Sequence, residues 1–515
     1  MRKASLFFSV VIALGLLQPL NAHADGSTSG WSTIPEAGTS VGVLGATFAE
    51  DLADTTDGAS FVRKGDDEVC TSVADASCSG GYAQILLPPC EIDDSSLCVI
   101  GLKLGQGKSF SEGKLIRNVG TNVVKGDPSR SIPNGYNSSL WEVANQEHSG
   151  KTNTYAVYVQ YRVRLSGELL SFRASVTPYV EVKNERVKEL EFSEVLLPSG
   201  SKRIEGNNSA HGCAWTENGL CGLPANFAEY SEVTLDLKIN HQVVGFLNGR
   251  LKNPLISLEN LSTGFKKLSI TGQPVPVQKS FARTFVADAT PEIIQEFNFE
   301  GFSKIGQTLR TYVATDINAL DHFDKWSRYF PDEAQSLRTY WGFSSSASSS
   351  DKCLQSNERI LGLVTTNAMV YEPRPPRFIE GSLNYRVASL HSKPNGGEFQ
   401  GSYDLILDSK AARCLYGYSD APISASVSIT SGSGEQQNIS VTTVNERDGW
   451  FHLGAYGFTF SSPVIRVKLA QPNPRGVSKE PPAGKTVIIC LKGKLQKKVS
   501  AAKPTCPKGY KKVAR

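Results

Sequence analysis

The 515-residue chain lacks most of the short motifs that announce a catalytic or cofactor site. It has no G-x-S-x-G elbow; the nearest string, Gly301-Phe-Ser303-Lys-Ile-Gly306, is spaced wrongly for a nucleophile turn. It has no H-E-x-x-H helix, no Walker loop and no dinucleotide-binding fingerprint. No cysteines stand at the C-x(2–4)-C spacing of structural zinc sites. The acidic residues from Glu50 to Glu68 lack EF-hand spacing, and a solvated loop is the expectation there. No metal, no cofactor and no catalytic residue is therefore expected. After residue 24 no run approaches the roughly 20 apolar residues of a membrane-spanning helix, so the mature chain is expected to carry no transmembrane segment.

What is present points first to a compartment. Arg2 and Lys3 precede an apolar run from Leu6 to Leu17, and Ala22-His-Ala24 follows. These are the n-region, h-region and cleavage site of a secretory signal peptide, with cleavage expected after Ala24. An anchor is disfavoured, because about a dozen apolar residues cannot comfortably cross a ~30 Å hydrocarbon core. All ten cysteines lie beyond Ala24, an even number, as disulfides in an oxidising compartment require. Cys70 and Cys78, Cys90 and Cys98, and Cys213 and Cys221 each enclose seven residues. The four from Cys70 to Cys98 allow three pairings, of which the two local ones are favoured. Cys353 with Cys414 and Cys490 with Cys506 complete the set. Chain entropy gives about 2.6 kcal/mol for each short loop and about 4.3 kcal/mol for the long one, so the long bridge should hold a domain together.

Composition fits a folded chain, with 40% hydrophobic and 20% charged residues. Net charge hides an asymmetry. The chain is +4; residues 1–24 hold +2, and residues 490–515 hold nine Lys or Arg without an acid, which leaves −7 for residues 25–489. Those nine are Lys492, Lys494, Lys497, Lys498, Lys503, Lys508, Lys511, Lys512 and Arg515. Lys479-Glu-Pro-Pro-Ala-Gly484 reads as the linker before them.

Period-two alternation dominates the middle of the chain. Tyr155, Val157, Val159, Tyr161 and Val163 form one face of a strand, with Ala156, Tyr158, Gln160 and Arg162 on the other, expected to be wet. Val233, Leu235, Leu237 and Ile239 make another, and Ala425, Val427 and Ile429 alternate with serines. Residues 25–60 read as loosely packed. Helical signals gather between Thr290 and Tyr340. Thr290-Pro291 is an N-cap followed by proline, and Leu320, Phe323, Trp326 and Phe330 share one helix face. Ser344 to Ser350 read as a loop. The expected fold is mainly β, with two antiparallel β-sandwich-like domains, a short helical connector and a small basic C-terminal hairpin. Its segments are a signal peptide over 1–24, a β domain over 25–289, the connector over 290–345, a β-sandwich over 346–478 and the tail over 479–515.

Individual side chains offer few handles. His322, flanked by Asp321 and Asp324, has the ingredients of a general base, but a surface or edge-of-core histidine is the commoner case. His211 beside Cys213 is similar. Trp215, inside the Cys213–Cys221 loop, is a possible ligand contact if exposed and loop core if buried.

The ending Cys490-Leu-Lys-Gly-Lys…Lys-Pro-Thr-Cys506-Pro-Lys-Gly-Tyr-Lys-Lys resembles a short Lys-rich, two-Cys module that closes many uncharacterised exported actinobacterial envelope proteins. The Gly449-Trp-Phe…Gly-Phe-Thr-Phe-Ser-Ser-Pro run resembles segments of similar exported proteins. The resemblance implies export and residence at the envelope, with no activity or catalytic residues attached. Anionic envelope polymers are the expected partners of the nine cations, rather than nucleic acid, which a secreted protein rarely meets. A non-enzymatic surface or binding protein is the leading expectation. A glycan-acting hydrolase using paired carboxylates and a structural lattice or adhesin subunit are the rivals.

Overall fold

The computed structural model describes residues 43–50, 60–64, 68–107, 109–121, 123–183, 192–196, 202–206, 213–262, 264–285, 290–293, 307–329, 334, 336–346, 350–356, 358–418, 424–430, 436–437, 440–460, 464–470, 486–492, 495–501 and 505–512. Strands dominate, as the alternating pattern predicts. The reason is visible in the Glu232–Asn240 strand: Val233, Leu235, Leu237 and Ile239 are all buried in one core, so period two places four side chains out of water together. Each such side chain contributes about 1.5–3 kcal/mol.

Two layers enclose the first core. In one, the Thr154–Arg164 strand pairs with Leu169–Lys183 along one edge. Ser139–Val143 and Tyr82–Leu86 lie end to end along its other edge. The second layer runs Cys98–Gln106, Glu232–Asn240, Phe265–Gln273, Lys252–Ser262. The Ser109–Asn118 strand pairs with a member of each layer and turns one into the other. Val157, Val159, Tyr161, Leu235, Ile270 and Trp341 meet between them.

A second sandwich follows. One sheet runs Gly245–Arg250, Ile360–Thr366, Gln400–Asp408, Trp450–Thr459, Ser440–Arg447, with the first pairing parallel. The other runs Val370–Tyr371, Ser382–Ala388, Val464–Ala470, Ser424–Thr430. Leu383, Tyr385, Tyr403, Leu405, Phe451 and Ile465 are among its core residues. The Cys353–Cys414 bridge ties a 3-10 turn at Lys352–Leu354 to the helix Ser409–Tyr416 beside this core. The other bridges are Cys70–Cys78, Cys90–Cys98, Cys213–Cys221 and Cys490–Cys506, the partners that spacing favours.

The structure departs from the expectations in three places. Residues 290–345 are not a mainly helical connector. Thr290 Oγ1 does accept a hydrogen bond from the Ile293 amide at the start of a helical turn, and Leu320, Phe323 and Trp326 are the buried stripe of the helix Ala319–Trp326. Phe330 lies outside the described residues. The remainder includes the strands Gln307–Val313 and Ser336–Ser345. Trp341 and Phe343 alternate into the first core, and Ser344 and Ser345 extend that strand rather than a loop. It pairs with Leu169–Lys183 on one side and Gly245–Arg250 on the other, so a single sheet runs from the first sandwich into the second. The cores interleave accordingly: Phe246 belongs to the second and Ile406 to the first.

Next, Val43–Ala49 is not loose. It is the central strand of a three-stranded sheet, antiparallel to Phe281–Phe285 and parallel to Gln307–Val313. Glu50, expected in a solvated loop, is buried against Arg250. Last, the strand at Thr154–Arg164 has no wet face over most of its length. Ala156, Tyr158 and Gln160 are buried as well. The stapled Cys213–Cys221 loop covers part of that back face, with Trp215 packed in a cluster with Ala156, Leu140 and Tyr179.

At the C-terminus, Thr486–Lys492 is the middle strand between Leu495–Ala501 and Lys511–Lys512. No helix among the described residues is long and apolar enough to cross a membrane.

Candidate functional site

The C-terminal sheet collects the basic residues. Lys492, Lys508, Lys511 and Lys512 are exposed. Lys497 and Lys498 lie on the Leu495–Ala501 strand, and register sets Lys497 and Lys512 on either side of Cys490. Cys490 itself is buried, and its bridge to Cys506 closes the sheet. Lys494, Lys503 and Arg515 lie outside the described residues.

Trp215 does not fit a ligand contact. It is only 3% exposed, edge-on to Tyr179 at 5.4 Å and under the Arg117 guanidinium at 5.4 Å. Glu217 holds that arginine from the same loop at 2.5 Å. Gly222 has the indole where its Cβ would be, so the ring is wedged against backbone. His322 stacks on Tyr312 at 4.1 Å, while Asp321 and Asp324 each face Arg386 at 3.5 Å. Both carboxylates thus face a guanidinium. His211 lies outside the described residues. Among the described residues no group of three or more His, Cys, Asp or Glu could hold a metal ion.

Sequence reasoning missed a polar cluster where the two sandwiches touch. Asp404 stands on the outer face of the second sandwich, opposite Gly454 in register. Tyr456, two residues on, folds its ring back over Gly454; a Cβ there would lie 2.5 Å from the Tyr456 oxygen. The hydroxyl thereby reaches Asp404 Oδ1 in a short hydrogen bond and Asn253 Oδ1 at 2.6 Å. Asn253 belongs to the edge strand Lys252–Ser262 of the first sandwich and holds a left-handed backbone, φ 52°. Lys252 Nζ sits over the Tyr456 ring at 4.9 Å. Asp404 is buried, and its Oδ2 makes no hydrogen bond of good geometry. Burial pushes the carboxyl up to about 7, against the pull of Tyr456, the nearby Asn253 amide and Lys252. The same cause raises the Tyr456 phenol, with Asp404 adding to it. His452 is held below its usual value by burial and then by Arg447.

A cleft of about 120 Å³ opens beside this cluster. Its walls include Leu255, Ile406, Asn445, Arg447 and His452, and Asp404 is the one carboxyl among the lining residues. A glycosidase needs two carboxyl groups roughly 5–10 Å apart, so this cleft does not supply that pair. No signal in the sequence marks Asp404, since alternation with Tyr403 and Leu405 assigns it to a solvated face. Compared with family models, curated proteins and solved structures, the chain matches none.

Proposed function

We propose that this is an exported, non-enzymatic binding protein that its basic C-terminal sheet holds to anionic polymers of the cell envelope. The two sandwiches, joined through one continuous sheet, serve as a rigid scaffold for display. The observation that carries this reading is the small disulfide-closed sheet with Lys492, Lys508, Lys511 and Lys512 exposed. A stapled sheet keeps cations together without the ordering cost that a free tail pays on binding. Attraction of this kind is strong near 0.1 M salt, where the Debye length is about 10 Å, and weak near 1 M, where it is about 3 Å.

The test is retention of the purified mature chain on bare cell walls. Full-length protein is expected to bind at low salt and elute as salt rises, and a form lacking residues 479–515 is expected to flow through. Equal retention of the truncated form overturns the proposal.

A further inference from the structure

The contacts around Tyr456 pose a counting problem in protons. Two hydrogen bonds join three oxygens: Asp404 Oδ1, the Tyr456 hydroxyl and Asn253 Oδ1. Each bond needs one proton. The tyrosine brings one, an amide oxygen brings none, and an ionised carboxylate brings none. A neutral Asp404 closes the account, donating its O–H to the Tyr456 oxygen while Tyr456 donates to Asn253. We propose that Asp404 is held as a carboxylic acid and that, with Tyr456 and Asn253, it forms a pH-sensitive latch fastening the edge strand Lys252–Ser262 to the outer face of the second sandwich.

The surroundings suit that role. Asp404 is buried, and no other carboxylate stands among the residues that line the cleft. From the edge strand it meets Lys252 and Asn253, and from its register partners Thr365 and Gly454. The Trp450–Thr459 strand adds Tyr456 and His452, and Ser440–Arg447 adds Arg447 across the cleft. The Tyr456 hydroxyl, the Asn253 backbone N–H and Lys252 favour ionisation, but burial outweighs them. When Asp404 loses its proton, Tyr456 turns its own toward the carboxylate and the link to Asn253 loses its donor. The edge strand is then held less tightly, and the cleft between the two sandwiches can widen past Leu255.

The sign follows from linkage. Asp404 binds its proton more tightly in the closed form, where it titrates at about 7, than when open, at about the ordinary 3.8. The latch is therefore fully present below about pH 4 and is lost as pH rises to about 7. From these two values the opening constant of the edge strand rises about a hundredfold between pH 5 and pH 8, most of it below pH 7.

Hydrogen exchange of peptides covering residues 252–262 in the full chain, corrected for intrinsic rate, reads this directly. Wild type is expected to lose protection over that range. Asp404→Asn, whose amide N–H donates at every pH, is expected to stay flat, and Tyr456→Phe to be weakly protected throughout. Infrared titration of the wild-type carboxylic-acid band supplies a measurement free of substitution and should place a carboxyl near neutral pH. Equal pH dependence in wild type and Asp404→Asn, or no carboxyl titrating above about pH 5, overturns the latch. Either result would point to an Asn253 amide turned to donate to Tyr456, with Asp404 ionised.

Discussion

Removing Glu50 should cost more than any surface ion pair, and removing its partner should cost more still. Arg250 is fully buried, with Nε on Glu50 Oε2 at 2.7 Å. Its Nη1 donates to the carbonyl oxygens of Thr366, at 3.1 Å, and Ala368, and Nη2 to that of Met369 at 3.3 Å. The guanidinium also lies 4.4 Å from the Tyr371 ring. One side chain thus fastens the end of the Val43–Ala49 strand to the second sandwich. Glu50→Ala leaves a buried cation without its counter-ion, for which about 3–5 kcal/mol is typical. Arg250→Met leaves a buried carboxylate and, in addition, three carbonyls without these donors. At about 1–3 kcal/mol for each group left unpaired, it should exceed Glu50→Ala by roughly 2 kcal/mol or more. Urea midpoints at matched slopes give both values, and proteolysis within residues 43–50 shows whether the strand detaches first. A pair acting through charge alone would give equal costs. Equal costs, or a Glu50→Ala loss below about 1 kcal/mol, would refute the reasoning.

Two further substitutions test other joints. Replacing Cys353 and Cys414 by alanine frees a sequence separation of 61 residues and should cost about 4 kcal/mol, against about 2.6 kcal/mol for opening Cys70–Cys78, measured as loss of unfolding free energy in the oxidised protein. Trp215→Ala should cost about 3–5 kcal/mol by leaving a cavity behind the Thr154–Arg164 strand, while wall retention stays unchanged. A drop in retention at wild-type stability would restore the ligand-contact reading of that tryptophan.

How far the fold could be read in advance depended on where the information sat along the chain. Strands such as Glu232–Asn240 carry their own instruction, because a single face of four apolar residues meets the core. The short bridges were legible because two cysteines eight positions apart meet cheaply whatever the fold, as Cys213 and Cys221 do. The Ser336–Ser345 strand was hidden because its buried half, Trp341 and Phe343, sits between a helical pattern and a serine run. Its role as the shared strand of two sandwiches is a property of two partners distant in sequence. The back face of Thr154–Arg164 misled for a related reason. Polar and small residues there are compatible with water or with a lid, and the lid comes from Trp215.

The cluster at Asp404 is the extreme case, and its illegibility has a physical origin. Its members are spread from Asn253 to Tyr456, a span of 203 positions, and none is unusual in its own neighbourhood. Asp404 alternates with buried Tyr403 and Leu405, which in an isolated sheet would put its carboxylate in water. Only when the edge strand of another sandwich descends on that face is the water removed. Gly454 then becomes the residue that matters most, since its missing side chain is the space through which Tyr456 reaches back. Packing a second sheet against a face designed for solvent converts an ordinary aspartate into an acid that titrates near neutrality. The chemistry of this site was therefore created by the union of the two sandwiches, and it should vanish in any fragment that contains only one of them.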